Sequence, residues 1–238
     1  MLDETFYFDG KRAKSKGIEL QESIILGAAE PNLKEFTIPG RNGTIYQHDG
    51  SYKNRSIIAH CYLLSHLLER DIDQINAWLL SSVGYRRFED SNDERHFMLA
   101  RATTGILKSA RMGILAPFTL EFDAKPQRFL KSGEKFIDVT TSMIIKNPTS
   151  FPALPLIRIL GKGNIDLTIA GNVLHLYLGS DWQEISYDAE ADTAYLGSEN
   201  MDSKIGSTDQ IALPSGDSQI SFTGNLKNIQ IMPRWWEL

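Results

Sequence analysis

The 238-residue chain reads as a mainly β protein of two domains. The first is β-rich with one α-helix and an extended arm, and the second is an antiparallel β-sandwich. Three observations predict this. Short apolar stretches punctuated by Gly, Pro, Asn and Asp pairs recur along the whole length. A single segment, about residues 66–81, spaces its apolar side chains at a helical period. Beyond about residue 132 no helical pattern occurs, and candidate strands arrive every 8–12 residues or so, the spacing of a sandwich.

The elements follow in order. Phe6 and Phe8 flank Tyr7, Asp9-Gly10 makes a turn, and Ile18, Leu20 and Ile24-Ile25-Leu26 continue a hairpin or meander. Residues 27–52 are dense in Pro-Gly, Asn-Gly and Asp-Gly pairs (Pro39-Gly40, Asn42-Gly43, Asp49-Gly50), which favour tight turns. Such a stretch is long for a loop inside a compact domain and suits an arm laid across a partner. Residues 56–63 read as a mostly buried strand holding His60 and Cys61. The helix carries Leu68, Ile72, Ile75 and Leu79 at spacings of four, three and four, with Trp78 beside them. Asp71 with Gln74 predicts a capping box there. Tyr85–Phe88 and His96–Ala100 bracket a polar turn as a hairpin, and Phe118, Leu120 and Phe122 alternate as a half-buried strand. The polar stretch Lys125–Gly133 breaks the pattern, placing a boundary between domains 1–132 and 133–238. In the second domain strands are expected at 136–139, 156–160, 165–169, 173–178, 184–187, 193–196, 219–222 and 229–232, separated by turns such as Gly161-Lys162-Gly163.

Composition narrows the function classes. Net charge is −5, from 25 Lys and Arg against 30 Asp and Glu. Residues 1–132 carry a net +1 and residues 133–238 a net −6, so no basic stripe suits nucleic acid. One cysteine excludes an internal disulfide. No apolar run approaches the ~18 residues of a membrane span, and residues 1–20 show no secretory leader pattern. The chain is therefore expected in a cytoplasm, apart from membrane and nucleic acid.

No catalytic, metal or cofactor grouping emerges. His48, His60, His66, His96 and His175 are scattered. The row Asp188-Ala189-Glu190-Ala191-Asp192 lacks the sixth-position Gly and flanking helices of a calcium loop. If it lies in a strand, its acids form a solvated stripe. With Glu184 it supplies carboxylates for glycoside hydrolysis in principle, and Trp182 offers a surface aromatic. Most informative are Trp235 and Trp236 near the C-terminus. Indoles cover about 150–250 Å² each when buried, so Arg234, Trp235 and Trp236 are expected to form a docking strand on their own domain or on a neighbouring subunit.

Several strings, in order, resemble the distal tail protein (Dit) family of siphophages. They are Phe6-Tyr7-Phe8-Asp9-Gly10, Gly40-Arg41-Asn42-Gly43 through Tyr52, Gly113 through Phe122, Asn147-Pro148, Gly161-Lys162-Gly163, Ile211 through Gly216, and Pro233-Arg234-Trp235-Trp236-Glu237-Leu238. The resemblance implies a non-enzymatic hub at a phage tail tip, with a galectin-like fold for the second domain. It implies a homo-hexamer joining the major tail tube protein to the tail-tip or tail-associated lysin protein, with a receptor-binding protein as a further candidate partner. It also implies assembly in the bacterial host cytoplasm. Pro39, Arg41, Asn42, Tyr46 and Tyr52 in the arm become the expected subunit interface. The alternative reading is a glycan-binding adhesion module of a phage or cell surface, using the sandwich and Trp182.

Overall fold

A computed structural model describes residues 4–63, 69–106, 117–206 and 210–238, with side chains 69 and 70 left aside. Leu68, His66 and residues 113–116 of the quoted strings lie outside the described residues. The fold is mainly β with one α-helix among the described residues, as the sequence patterns predict. It divides into two units, residues 1–128 with Leu238, and residues 129–237.

In the first unit, β1 (Phe6–Phe8) and β2 (Lys11–Arg12) form a hairpin whose turn residues, Asp9 and Gly10, both have positive φ. That is the geometry Asp-Gly favours. β3 (Ile18–Leu20) and β4 (Ile25–Leu26) follow. The arm comes next as β5 (Pro31–Phe36) and β6 (Ile45–Tyr52), and then β7 (Arg55–Leu63) and α1 (Glu69–Leu80). β8 (Arg86–Asp90), β9 (His96–Ala102) and β10 (Pro117–Leu130) complete the set. The sheet order is β2-β1-β8-β9-β10-β7-β3, with β4 also on β7.

Period-2 alternation drives this sheet. β7 buries Ile57, Ala59, Cys61 and Leu63 on one face and leaves His60 half exposed on the other. The strand is therefore one-sided rather than mostly buried. Phe6, Phe8, Phe88 and Phe122 converge with Trp78 of α1, ring centroids 5.0–6.4 Å apart. The Trp78 indole donates to the Phe8 carbonyl at 3.1 Å, which satisfies its one polar atom inside the core. Ile72, Ile75 and Leu79 are buried in the same cluster. Because α1 already runs at Glu69, Asp71 lies within the helix and is not its N-cap, so the expected capping box does not form.

In the second unit, β11 (Ile137–Asp138), β12 (Met143–Asn147), β13 (Leu156–Ile169), β14 (Asn172–Tyr177) and β15 (Gln183–Asp188) lead to β16 (Thr193–Leu196) and β17 (Glu199–Asn200). β18 (Gly216–Met232) and β19 (Trp236–Glu237) end the chain. The antiparallel order is β11-β18-β13-β15-β16-β17, with β12 on β18 and β14 on β13. Two of the expected strands, 156–160 and 165–169, are one strand, β13. Expected strands 219–222 and 229–232 are likewise one strand, β18. Gly161 and Gly163, read as a turn, lie instead in a bulged stretch: the β13–β18 register shifts between Leu160 and Gly161 and again between Lys162 and Asp166. Bulges bend strands, so the first half of β13 pairs with β15 and the second half with β14. Gly224 sits at this bend with φ +103, and a Cβ there would lie closer than 3.0 Å to the Asn164 carbonyl oxygen. The bent sheet encloses Ile157, Ile159, Leu167, Leu176, Ile185 and Tyr187 among a continuous apolar cluster. The polar segment 125–133 does not break the backbone either. β10 runs through it to Leu130, and a 3-10 turn spans Lys131–Glu134.

Candidate assembly interface

The arm is not a loop. β5 and β6 form their own two-stranded sheet, with Leu33 opposite His48, Glu35 opposite Tyr46 and Phe36 opposite Ile45. Every residue from Leu33 to Ser51 is exposed. The hairpin is held from within. The Lys53 N–H donates to the Glu30 carbonyl at 2.8 Å, and the Lys53 ammonium meets the Glu30 carboxylate at 3.2 Å. Asn32 Nδ2 donates to Ser51 Oγ at 2.7 Å. The Ser51 hydroxyl and N–H donate to Asp49 and hold its carboxyl below the usual range. His48 sits edge-on to Tyr52.

Of the sequence-predicted contact residues, Pro39, Arg41 and Asn42 lie in the exposed tip, where the Arg41 N–H closes on the Ile38 carbonyl at 3.1 Å. Tyr46 is 56% exposed on β6, and Tyr52 is half-buried at its end. Sequence reasoning missed the apolar set around them: Leu33, Phe36, Ile38 and Ile45 are all exposed. Their signal was the apolar residues scattered between the turn pairs. Paired residues share a face and neighbours alternate, so Leu33 and Tyr46 mark one side and Phe36 and Ile45 the other. A lone two-stranded hairpin has marginal stability in water, and clustered exposed apolar side chains mark contact surfaces.

The C-terminal residues dock on their own unit. Trp235 is 5% exposed within the second core. Trp236 stacks on Phe151 with centroids 4.4 Å apart and donates from its indole to the Pro152 carbonyl at 2.9 Å. Arg234, at φ +59, donates from Nη1 and Nη2 to the two carboxylate oxygens of Asp188 at 2.7 and 2.8 Å. Burial pushes the Asp188 carboxyl up, but the paired Arg234 bonds and charge outweigh it and hold it below the usual range.

This settles the acidic row. Asp188 ends β15 and accepts from the Glu190 N–H at 3.0 Å, while Asp192 accepts the Tyr187 hydroxyl at 2.7 Å. The acids lie in the β15–β16 turn, not along a strand face, and two of them already hold turn and tail together. Among the described residues no three His, Cys, Asp or Glu side chains converge as a metal site. His60 Nδ1 lies 3.0 Å from Thr119 Oγ1, and burial pushes the Cys61 thiol up to about 12. A cavity of about 150 Å³ lined by Val139, Thr140, Phe222 and Leu226 falls below the roughly 300 Å³ of a small-molecule site. What the geometry offers is an exposed two-stranded hairpin that carries Leu33, Phe36, Ile38, Ile45 and Tyr46 on its surface.

No protein-family model matches the chain, and no curated protein matches it. Among solved structures, the crystal structure of SPP1 Dit (gp 19.1) matches with a TM-score of 0.76 over 99% of both chains, at 16% identity. The chain has the Dit fold. The resemblance carried by the ordered strings is thus met by a likeness of fold over nearly the whole length. SPP1 Dit is described as a paradigm of the hub adsorption apparatus in phages infecting Gram-positive bacteria. No helix among the described residues is long and apolar enough to cross a membrane.

Proposed function

We propose that the chain is a non-enzymatic structural hub of a siphophage tail tip. The observation that carries this reading is the Dit fold over 99% of the chain. The exposed arm supports it, because a stable monomer gains nothing from presenting Leu33, Phe36, Ile38, Ile45 and Tyr46 to water. In this reading domain 1–132 forms a ring of six copies, with each arm lying on the adjacent copy. Pro39, Arg41, Asn42, Tyr46 and Tyr52 then supply polar and aromatic contacts around the apolar set. The ring sits between the major tail tube protein and the tail-tip or tail-associated lysin protein, anchors receptor-binding parts, and assembles in the host cytoplasm. The galectin-like second domain faces outward.

Light scattering with negative-stain imaging tests this. A species of about 160 kDa, six times the 26.8 kDa chain, with a central hole is expected of a closed ring. A chain that stays monomeric at high concentration, and also when mixed with the tail-tip protein, overturns it.

A further inference from the structure

The arm leaves and rejoins the first sheet at one place. On its entry side β4 pairs with β7, Leu26 opposite Ile57, and the Gly27 N–H donates to the Ser56 carbonyl at 2.8 Å. On its exit side Asn54 directly precedes β7, whose Ser56 lies opposite Asp123 of β10. The bonds of Lys53 to Glu30 close the open end of the hairpin between them. Both roots of the arm therefore lie beside Ser56, and together they make a neck.

The exit root is tied to the sheet by side chains. Asn54 Nδ2 donates to the Tyr85 hydroxyl oxygen at 2.6 Å and to Asp123 Oδ1 at 2.9 Å. The Tyr85 hydroxyl donates on to Asp123 Oδ2 at 3.2 Å, and Arg101 Nε donates to the same oxygen at 3.0 Å. Tyr85 immediately precedes β8, Arg101 lies on β9 and Asp123 on β10. One carboxylate thus gathers three donors from three parts of the sheet, one of them a cation. Charge-assisted bonds are stronger than neutral ones, and linked bonds polarise one another. The entry root has no slack either. A Cβ on Gly27 would lie 2.7 Å from Ser56 Oγ and 3.2 and 3.3 Å from the Ser56 backbone oxygen and nitrogen.

None of these four side chains belongs to the buried core of the unit. What they join is the arm's exit and the rigid sheet. A two-stranded hairpin is marginal by itself, so its direction has to come from its root. A root fixed in advance lowers the ordering cost when the exposed apolar residues meet a surface.

We propose that Asn54, Tyr85, Arg101 and Asp123 are positioning residues that hold the arm in one direction relative to the first sheet. The consequence for self-association rests on the hub reading; the direction itself does not.

Spin labels on Arg41→Cys at the arm tip and Lys11→Cys on β2 read that direction as a distance distribution. The full chain is diluted with unlabelled copies, so that only pairs within one chain are measured, and the fully buried Cys61 takes no label. The parent should give one narrow distribution. Asn54→Ala and Asp123→Ala should abolish it in favour of a broad one, and Tyr85→Phe, which keeps the Asn54–Asp123 bond, should widen it less. Asn76→Ala is the control. It removes the Asn76 bonds to Ile106 at 2.9 and 2.7 Å in the same unit, so it lowers stability without touching the neck and should leave the distribution narrow. Sedimentation of unlabelled Asn54→Ala should show self-association weakened about tenfold, the scale of one net hydrogen bond. A broad distribution in the parent, an unchanged one in both Asn54→Ala and Asp123→Ala, or equal widening in Asn76→Ala each overturns the proposal. So does a widened distribution with undiminished self-association. A parent that forms no ring counts against the hub reading, and the distances then decide the neck by themselves.

Discussion

Gly133→Ala tests whether the terminal tryptophans lock the second unit. Gly133 lies outside the left-handed φ region, so an alanine there would ordinarily stabilise by about 0.4–1 kcal/mol through the unfolded chain. The structure reverses that sign. A Cβ at Gly133 would lie closer than 3.0 Å to the Trp235 backbone nitrogen and 3.2 Å from the Arg234 carbonyl carbon and Trp235 Cβ. These are mostly backbone atoms, so no rotamer change relieves the contact. The same backbone is pinned from both sides: the Arg234 N–H donates to the Gly133 carbonyl at 2.9 Å, and the Leu130 N–H to the Trp235 carbonyl at 2.8 Å. Overpacking of this kind costs about 1–3 kcal/mol. The ceiling is full undocking of Trp235, roughly 4–6 kcal/mol for about 150–250 Å² at 25 cal/mol/Å². The expected net loss is therefore about 1–3 kcal/mol. Urea unfolding followed by tryptophan emission measures it. Trypsin cleavage after Arg234, which releases residues 235–238, gives an independent readout and should become faster. A variant as stable as the parent, or more stable, with unchanged cleavage would refute the tail-lock argument.

Three further outcomes are expected. Burial raises the Asp93 carboxyl, but hydrogen bonds from Arg128 (2.7 Å) and His96 (2.8 Å) and their charge outweigh it and hold it at about 2. Against about 3.9 in the unfolded chain, its stabilisation is complete above that pH and is lost as pH falls towards 2. Asp93→Asn should flatten that acid limb and cost about 1–2 kcal/mol at neutral pH, and an unaltered limb would count against the cluster. Cys61 is fully buried with its thiol at about 12, so a thiol reagent at pH 8 should label it only on unfolding, and prompt labelling of native protein contradicts this. Tyr46→Ala in the arm should leave monomer stability within about 0.5 kcal/mol while weakening self-association; a loss of fold instead would mean the arm supports its own domain.

The resemblance to Dit was legible in a series of short strings taken in order along the chain, while identity to SPP1 Dit over the whole length is only 16%. The rest of the site was not legible in the same way. The arm's turn pairs were visible, but not that Phe36 would pair with Ile45, since register is set by bonds between strands and not within one. Gly161 and Gly163 read as a turn because local composition does not distinguish a turn from a bulge. Only the neighbouring strand decides whether the chain reverses or bends.

By itself the sequence determined the β class, the one α-helix among the described residues and the sidedness of strands such as β10, where Leu120 and Phe122 are buried and Glu121 is exposed. Each follows from residue spacing at a period of two or about 3.6, a property of neighbours in the chain. The tertiary structure alone decided that Asp188 meets Arg234 across 46 residues. It also decided that Trp235 is a core residue of its own unit and that Lys227 points at Trp182. Those depend on which distant strands pair and where they slip, information that no local window of residues contains.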